Sequence, residues 1–468
     1  MKIAVIGLGY VGLPLSLQFA RSGVTVLGLD IDPAKVKSLN AGRSYIRHIP
    51  SAVVRGQVAA GRFSASTNFA RVREVEAVII CVPTPLKKNR EPDLSYVLNT
   101  GRAIAPYLKT ENRKQKTEIS GRKFQVSGFS VSAFPKLVVL ESTTYPGTTE
   151  EELRNVLETG GAGRSPISHL PTSQSRTRLV AGRDFHLAYS PEREDPGNPD
   201  SRVADIPKLV GGYTPACLKR AVALYRRAVK TVVPVSSCRA AEAAKLLENI
   251  FRGVNIALVN ELKVVYDAMG LDIWEVIAAA KTKPFGFMPF YPGPGLGGHC
   301  IPIDPFYLAW KARQFGQDTR FIKLAGEINT AMPRHVVDRA AAALKSRRKT
   351  LNGSKILILG LAYKPDVDDD RESPGYHLLD LLKKRGVEVA YHDPYIPVIR
   401  PSRAHSHWAG VKSAAWNRRV IASFDAVIIC TAHRSVNYRR LAQWARLIVD
   451  TRNAMAGVDA RPGQVWKA

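Results

Sequence analysis

Cysteine is scarce in this chain. Five occur in 468 residues (Cys81, Cys217, Cys238, Cys300 and Cys430), odd in number, widely spaced and without a C-x-x-C pair. Neither a disulfide framework nor a zinc site is therefore expected. Long apolar runs are also missing: no stretch approaches the ~18 apolar residues that cross a bilayer. The opening "MKIAVIGLGYVGLP" holds one lysine, repeated glycines and no small-residue cleavage site after an apolar core, so it reads as a strand rather than a signal peptide. A cytoplasmic protein without a membrane partner is expected. Acidic residues are few as well, 40 against 68 Lys and Arg, for a formal charge of +28. Such an excess ordinarily suggests a polyanionic partner. Here the basic residues are spread along the chain, with a surplus in two Ser/Arg/Lys-rich segments at about 109–136 and 158–183. Both read as solvated surface insertions. Neither interleaves aromatics over most of its length, so nucleic acid is not the expected partner. A phosphate-bearing small molecule accounts for part of the charge.

What is present is alternation. A chain this long should form two or three domains. Residues 2–6 are a short apolar run, followed by "GLGYVG", a helical pattern through "LPLSLQFARSG" and a second run, "TVLGLD". This is a strand–helix–strand unit joined by a glycine turn. Further buried-type strands are expected at "EAVIICV", "KLVVLES" and "DFHLAYS". From about 236 to 347 the period is helical, and "RAAEAAKLLENIFRGVNIALVNELKVVYDAMG" reads as one long helix with Gly270 as its C-terminal cap. Strand patterns return in "KILILGLAYKP", "EVAYHDP", "DAVIICTAH" and "RLIVDTRN". The pentapeptide AVIIC occurs at 77–81 and again at 426–430, each time after an acidic residue. The fold class expected is α/β: two Rossmann-like doubly wound domains, 1–235 and 348–468, joined by a long-helix central domain, 236–347.

Gly7, Gly9 and Gly12 form G-x-G-x-x-G between a strand and a helix. The first permits the tight turn, the second lets a pyrophosphate approach the backbone, and the third lets helix pack on strand. Asp30 ends the next strand, where a carboxylate suits ribose hydroxyls. No arginine follows it, since Ile31 and Asp32 come next, so NAD is favoured over NADP. The second α/β domain has only Gly360 at the corresponding turn and is expected to hold something smaller with a phosphate. Lys364 and Arg371 follow that turn in "YKPDVDDDRESP", where a plain solvated turn is equally consistent. Lys245 and Asn249, four residues apart, share one face of the long helix. Thr143 and Glu192 lie just past strands of the first sheet, where the switch-point rule puts ligands, although capping explains either residue alone.

Cys300 sits in "PGPGLGGHCIPIDP". Beside bound NAD, a thiol can capture an aldehyde as a thiohemiacetal, which loses a second hydride to become a thioester that water cleaves. Lys245 can favour its thiolate, and Asp304 can orient that lysine or a water. Spacing alone leaves a buried, inert cysteine open.

Seven ordered stretches, "VIGLGYVGLP", "CVPTP", "ESTTYPGTT", "YSPERED", "KLLENIFRGVNIALVNE", "GLGGHCIPIDPFYL" and "GLAYKPDVDDDRESP", together resemble the UDP-glucose/GDP-mannose dehydrogenase family over nearly the whole chain. The loop "FGFMPFYPGPGLGGHCIPIDPFYL" is most similar to the bacterial UDP-N-acetylglucosamine 6-dehydrogenases of surface-polysaccharide synthesis. The resemblance implies a four-electron oxidation of a sugar C6 alcohol to a carboxylate, with two NAD used in turn. It implies Cys300 as nucleophile, Lys245 and Asn249 on the C6 oxygen, Asp304 on a water or on Lys245, Thr143 assisting that water, and Glu192 as base for thioester hydrolysis. Around NAD it implies Gly7, Gly9, Tyr10, Val11, Gly12, Asp30, Lys35 and Thr84. Around the UDP-sugar it implies Tyr291, Gly297, Gly298, Tyr363, Lys364, Arg371 and Arg452. Homodimers or larger assemblies through the long helix are implied too. UDP-N-acetylmannosamine, UDP-N-acetylgalactosamine and UDP-glucose present the same pyrophosphate and C6 hydroxyl, so the sugar stays open, as does the role of His299. A two-electron β-hydroxyacid dehydrogenase would need neither the cysteine nor the second α/β domain. A basic, NAD-sensing nucleic-acid binder would act through the two insertions.

Overall fold

A computed structural model describes residues 1–47, 49–87, 91–108, 135–160, 178–193, 203–298, 301–402 and 405–468. They gather into two compact units, Met1–Leu247 and Glu248–Ala468.

The first unit is built on an eight-stranded sheet: β1 (Lys2–Ile6), β2 (Thr25–Leu29), β3 (Phe63–Ser66), β4 (Ala77–Ile80), β5 (Lys136–Leu140), β6 (Phe185–Tyr189), β7 (Lys208–Gly212) and β8 (Val232–Val235). Its order is β3-β2-β1-β4-β5-β6-β7-β8. The first six strands in that order are parallel, the dinucleotide-binding arrangement. Strands β1, β4 and β5 are apolar along most of their length because helices cover both faces of the sheet, so alternation would gain nothing there. β7 then runs antiparallel to β6, and β8 parallel to β7.

Sequence reading does not find β3, β7, β8 or β13. Three of these lie at sheet edges, and their few residues are broken by serine, proline or charge. β7 ends in Gly211 and Gly212, where any side chain would strike the backbone at Ser237 and Leu218. The two basic segments are expected as surface loops throughout, and residues 109–134 and 161–177 lie outside the described residues. Their ends correct that expectation. Lys136 opens β5, buried, with its ammonium donating to the carbonyls of Val75 (2.6 Å) and Arg73 (3.2 Å). Glu158 is buried too, accepting from the Ala181 amide (3.1 Å) and pairing with Arg178 (3.0 Å). Charge there satisfies backbone and partner groups that burial would otherwise leave unpaired.

The second unit carries a five-stranded parallel sheet ordered β10-β9-β11-β12-β13: β9 (Lys355–Leu359), β10 (Glu388–His392), β11 (Ala426–Ile429), β12 (Ile448–Asp450) and β13 (Val465–Lys467). The helix Arg320–Ser346 contributes Val336, Val337, Ala340, Ala343 and Leu344 to the core of this sheet. The helical segment that sequence reading sets apart therefore shares a core with the strands after it. Both copies of AVIIC fall at the same topological place. β4 and β11 each pair with the first strand of their sheet, Ile80 opposite Ile6 and Ile429 opposite Leu359.

The long helix Cys238–Ala268 contains the boundary between the units. Gly270 closes it at φ 75° in a double hydrogen bond, Leu271 amide to Tyr266 carbonyl (2.8 Å) and Gly270 amide to Asp267 carbonyl (3.2 Å). No helix among the described residues is long and apolar enough to cross a membrane. A Cβ at Gly270 would meet nothing within 4 Å. Gly270→Ala is therefore expected to cost only its left-handed backbone strain, about 1 kcal/mol in urea-induced unfolding.

Candidate active site

In the first unit the chain leaves β1 at Gly7, φ 88°, whose amide donates to the Leu29 carbonyl (2.8 Å). A Cβ on Gly7 would lie 2.5 Å from the Cys81 carbonyl oxygen, and one on Gly12 would run into the Gly7 carbonyl. Around Gly9 nothing lies within 4 Å. Two glycines are thus demanded by the protein, and the third keeps an approach open. The helix Gly12–Arg21 begins there without a side-chain cap or an acidic residue in its first turn, and its N-terminal amides suit a phosphate. Tyr10 and Val11 are half-buried at its start. Asp30 follows β2, its carboxylate accepting from the Leu8 amide (2.9 Å) and the Asp32 amide (3.0 Å), with the Lys35 ammonium 3.7 Å away. Thr84 is buried beyond β4. Open backbone, uncapped helix and strand-end acid fit a pyrophosphate and a ribose.

The second sheet repeats this turn and fills it differently. The Gly360 amide donates to the His392 carbonyl (2.8 Å), and the Asp393 carboxylate accepts from the Leu361 (2.6 Å) and Ala362 (2.8 Å) amides. Here His433, fully buried, brings Nε2 to 3.0 Å from the Asp393 carboxylate. An imidazole takes the acid that a ribose would need.

At the ends of β5 and β6 stand Thr143, half-buried, and Glu192. The loop after Thr143 is held by Glu242 of the long helix, whose carboxylate accepts from the Gly147 amide (2.7 Å), the Thr149 amide (2.9 Å) and the Thr149 hydroxyl (2.7 Å). Burial pushes this carboxyl up to about 7 against the pull of those three donors. Lys245, buried, lies one turn further along the same helix. Sequence reading also misses a buried group beside Thr143. The Glu141 carboxylate meets the Lys208 ammonium at 2.7 Å and accepts from the Tyr225 hydroxyl, while Lys208 lies 3.8 Å from Glu192. Burial raises the Glu141 carboxyl, while Lys208 opposes the rise. The available signals are a strand ending in Glu, in "VVLES", and one beginning with Lys, in "KLVGG".

In the second unit the buried Asn249 amide donates to the buried Asp304 carboxylate at 2.6 Å. Asp304, expected to face Lys245 or a water, is engaged with the other residue of the pair. It opens the helix Asp304–Arg313, where an anion is favoured. Cys300 and His299 lie outside the described residues. The loop before them is sutured by asparagines. Asn260 accepts from the Gly293 amide (2.9 Å) and donates to Asn329 (2.8 Å), which donates to the Gly253 carbonyl (3.1 Å).

The same loop packs on the second sheet. A Cβ on Gly293 would strike the Arg452 guanidinium; on Gly297, Pro374 and Tyr363 (2.9 and 3.1 Å); on Gly298, the Tyr363 ring (2.9 Å). Sequence reading gives Gly297 and Gly298 to the substrate, and protein packing already requires them. Arg452 is fixed by its Nε donating to the Cys430 carbonyl (2.8 Å), and Lys364 lies 5.8 Å from the Tyr363 ring. Tyr291 stacks on Trp274. The Arg371 guanidinium closes on the Asp369 carboxylate at 2.6–3.1 Å. No cluster of three or more potential metal ligands occurs among the described residues.

Comparison with known proteins matches three domain models of the UDP-glucose/GDP-mannose dehydrogenase family. The NAD binding domain matches residues 1–116 and 127–229, the central domain 239–331 and the UDP binding domain 357–457. The chain is 31% identical over 465 residues to UDP-N-acetyl-D-glucosamine 6-dehydrogenase of Pseudomonas aeruginosa, covering 96% of each. It is 33% identical over 438 residues to UDP-N-acetyl-D-mannosamine dehydrogenase of Escherichia coli K12, covering 92% of this chain and 93% of that one. A solved UDP-D-ManNAc dehydrogenase from Pyrococcus horikoshii has TM-score 0.81 and 30% identity, covering 100% of this chain and 99% of that one.

The glycine turn yields a paired expectation. Gly9→Ala should leave the melting temperature unchanged yet weaken NAD binding ~10-fold or more in titration calorimetry, the effect of losing about 1.4 kcal/mol of contact. Gly12→Ala, whose methyl group meets backbone, should lower the melting temperature as well.

Proposed function

The chain belongs to the UDP-glucose/GDP-mannose dehydrogenase family and is an NAD-dependent nucleotide-sugar 6-dehydrogenase, and from that premise we propose that it oxidises a UDP-N-acetylhexosamine, UDP-N-acetylglucosamine foremost, to the uronic acid. The observation that carries the reading is the Asn249–Asp304 bond, one helical turn beyond Lys245. Asp304 takes one amide proton of Asn249 and fixes its orientation, leaving the second N–H for an oxygen that becomes negative. Lys245 supplies the positive charge for the same oxygen.

NAD, when bound, accepts the hydride in each of the two oxidations. Cys300 adds its thiolate to the aldehyde carbon, and the thiohemiacetal it forms becomes a thioester after the second hydride leaves. Thr143 steadies a water, Glu192 removes its proton, and the thiolate departs as the carboxylate forms. Gly7, Gly9, Tyr10, Val11, Gly12, Asp30, Lys35 and Thr84 line the cofactor's place. Tyr291, Gly297, Gly298, Tyr363, Lys364, Arg371 and Arg452 hold the UDP portion.

The N-acetyl preference is supported by the Pseudomonas relative and by the loop it resembles, and UDP-N-acetylmannosamine, UDP-N-acetylgalactosamine and UDP-glucose are the alternatives to test against it. Self-association is supported by exposed apolar residues of the second unit, Phe251, Leu258, Phe285, Met288 and Phe321. The reading also places the enzyme in the cytoplasm, supplying surface polysaccharide synthesis.

The test is purified enzyme with NAD and a panel of these nucleotide sugars, counting NADH formed per sugar consumed. Two NADH per sugar are expected, with the highest kcat/KM on UDP-N-acetylglucosamine. Cys300→Ser should make no acid. A ratio of one, or acid formed at the normal rate by Cys300→Ser, would overturn the thioester route.

A further inference from the structure

Strand β7 is the only one in the first sheet, among the described residues, that pairs antiparallel with its predecessor in the chain. Its register sets Ala188 against Gly212 and Tyr189 against Gly211. Continued past the end of β6, the same register sets Glu192 against Lys208. The first residue of a parallel strand lies at the edge far from the ligands, so the reversal carries Lys208 to the carboxyl-end edge where Thr143 and Glu192 stand. Lys208 is buried there, 2.7 Å from Glu141 and 3.8 Å from Glu192, with its ammonium 5.5 Å from the Tyr225 ring. Glu141 is the deeper and closer counter-ion, held on its other oxygen by the Tyr225 hydroxyl. That pair anchors the ammonium, and Glu192 meets it at ion-pair distance.

We propose that Lys208 is a positioning residue for the hydrolytic half of the reaction, holding Glu192 as an oriented carboxylate from the anchor of Glu141. The proposal rests on the reading of Glu192 as the hydrolytic base. In that step the Glu192 carboxylate takes a proton from water, and the water oxygen bonds to C6 of the thioester. The C6–S bond then breaks with its electron pair going to the Cys300 sulfur. The proton on Glu192 passes to solvent, and nothing is oxidised or reduced. Both hydride transfers precede the step, so Lys208 acts after them.

Charged and titratable groups that face the ammonium among the described residues include Glu141, Glu192 and Tyr225, with Cys81 near Tyr225. Removing the ammonium takes away the group that links Glu192 to Glu141.

The experiment compares Lys208→Met, Lys208→Arg, Glu192→Gln and the double variant Lys208→Met/Glu141→Gln by rapid mixing with NAD and the best UDP-sugar, with intact-mass detection of the acyl-enzyme. Glu192→Gln and Lys208→Met should each release two NADH per site at the wild-type burst rate. They should then turn over at least ~10-fold more slowly, the lower range for a lost acid–base contribution, while the covalent adduct accumulates. Lys208→Arg, which restores a cation at the same place, should rescue hydrolysis and keep adduct low. The double variant removes both buried charges together and so avoids the unpaired Glu141 that would destabilise Lys208→Met alone; it should accumulate adduct too. If Glu192→Gln accumulates adduct while the folded lysine variants hydrolyse it at the wild-type rate, the role of Lys208 is wrong. If Glu192→Gln itself hydrolyses normally, the base assignment is wrong and the proposal goes with it.

Discussion

Each sheet depends on one close approach of backbone to backbone. Where the first strand ends, the chain passes over the end of its neighbour, Gly7 over Cys81 and Gly360 over Thr431, and a Cβ at either glycine would collide with a carbonyl oxygen. The passage opens the crevice at the carboxyl ends of the strands, the place where an open α/β sheet holds its ligand. Asp30 and Asp393 both clamp the turn from the next strand by accepting the amide just after the glycine. The catalytic candidates Thr143 and Glu192 are arrayed along the same edge of the first sheet.

The two sheets show how one turn serves two ligands. In the first, Gly9 leaves an open approach and the helix start is uncapped. In the second, His433 lies against Asp393, and Tyr395 packs on the His433 ring at 4.9 Å. There an imidazole occupies the strand-end acid. The repeated AVIIC at matched positions of the two sheets agrees with a shared plan, and the divergence lies in a few side chains at the strand ends.

Much of this was legible in the sequence because it is local. The turn glycines, the acid at the next strand end, the Gly270 cap and the repeated strand each announce themselves within a few residues. What could not be read is pairing between distant segments. Asn249 takes Asp304 from 55 positions away, Glu242 reaches back to Thr149, and Lys208 reaches back to Glu141. Each residue alone looks like a solvated polar group, and only the fold converts it into a buried partner. The reversal of β7 was invisible for a related reason. Strand direction is fixed by tertiary packing, and the glycines that end β7 resemble a turn until the backbone they abut is known. The basic segments misled at their ends, where Lys136 and Glu158 look like the charges beside them.

The loop from Gly293 to Gly298 has a consequence for how this protein can change. Its glycines are cut to fit Arg452, Tyr363 and Pro374, and Asn260 and Asn329 hold its near end. A side chain added at Gly293, Gly297 or Gly298 would need a matching change at Arg452, Tyr363 or Pro374. The loop is thus bound to a mosaic of positions scattered over the second half of the chain, exchangeable as a set and resistant to exchange piece by piece.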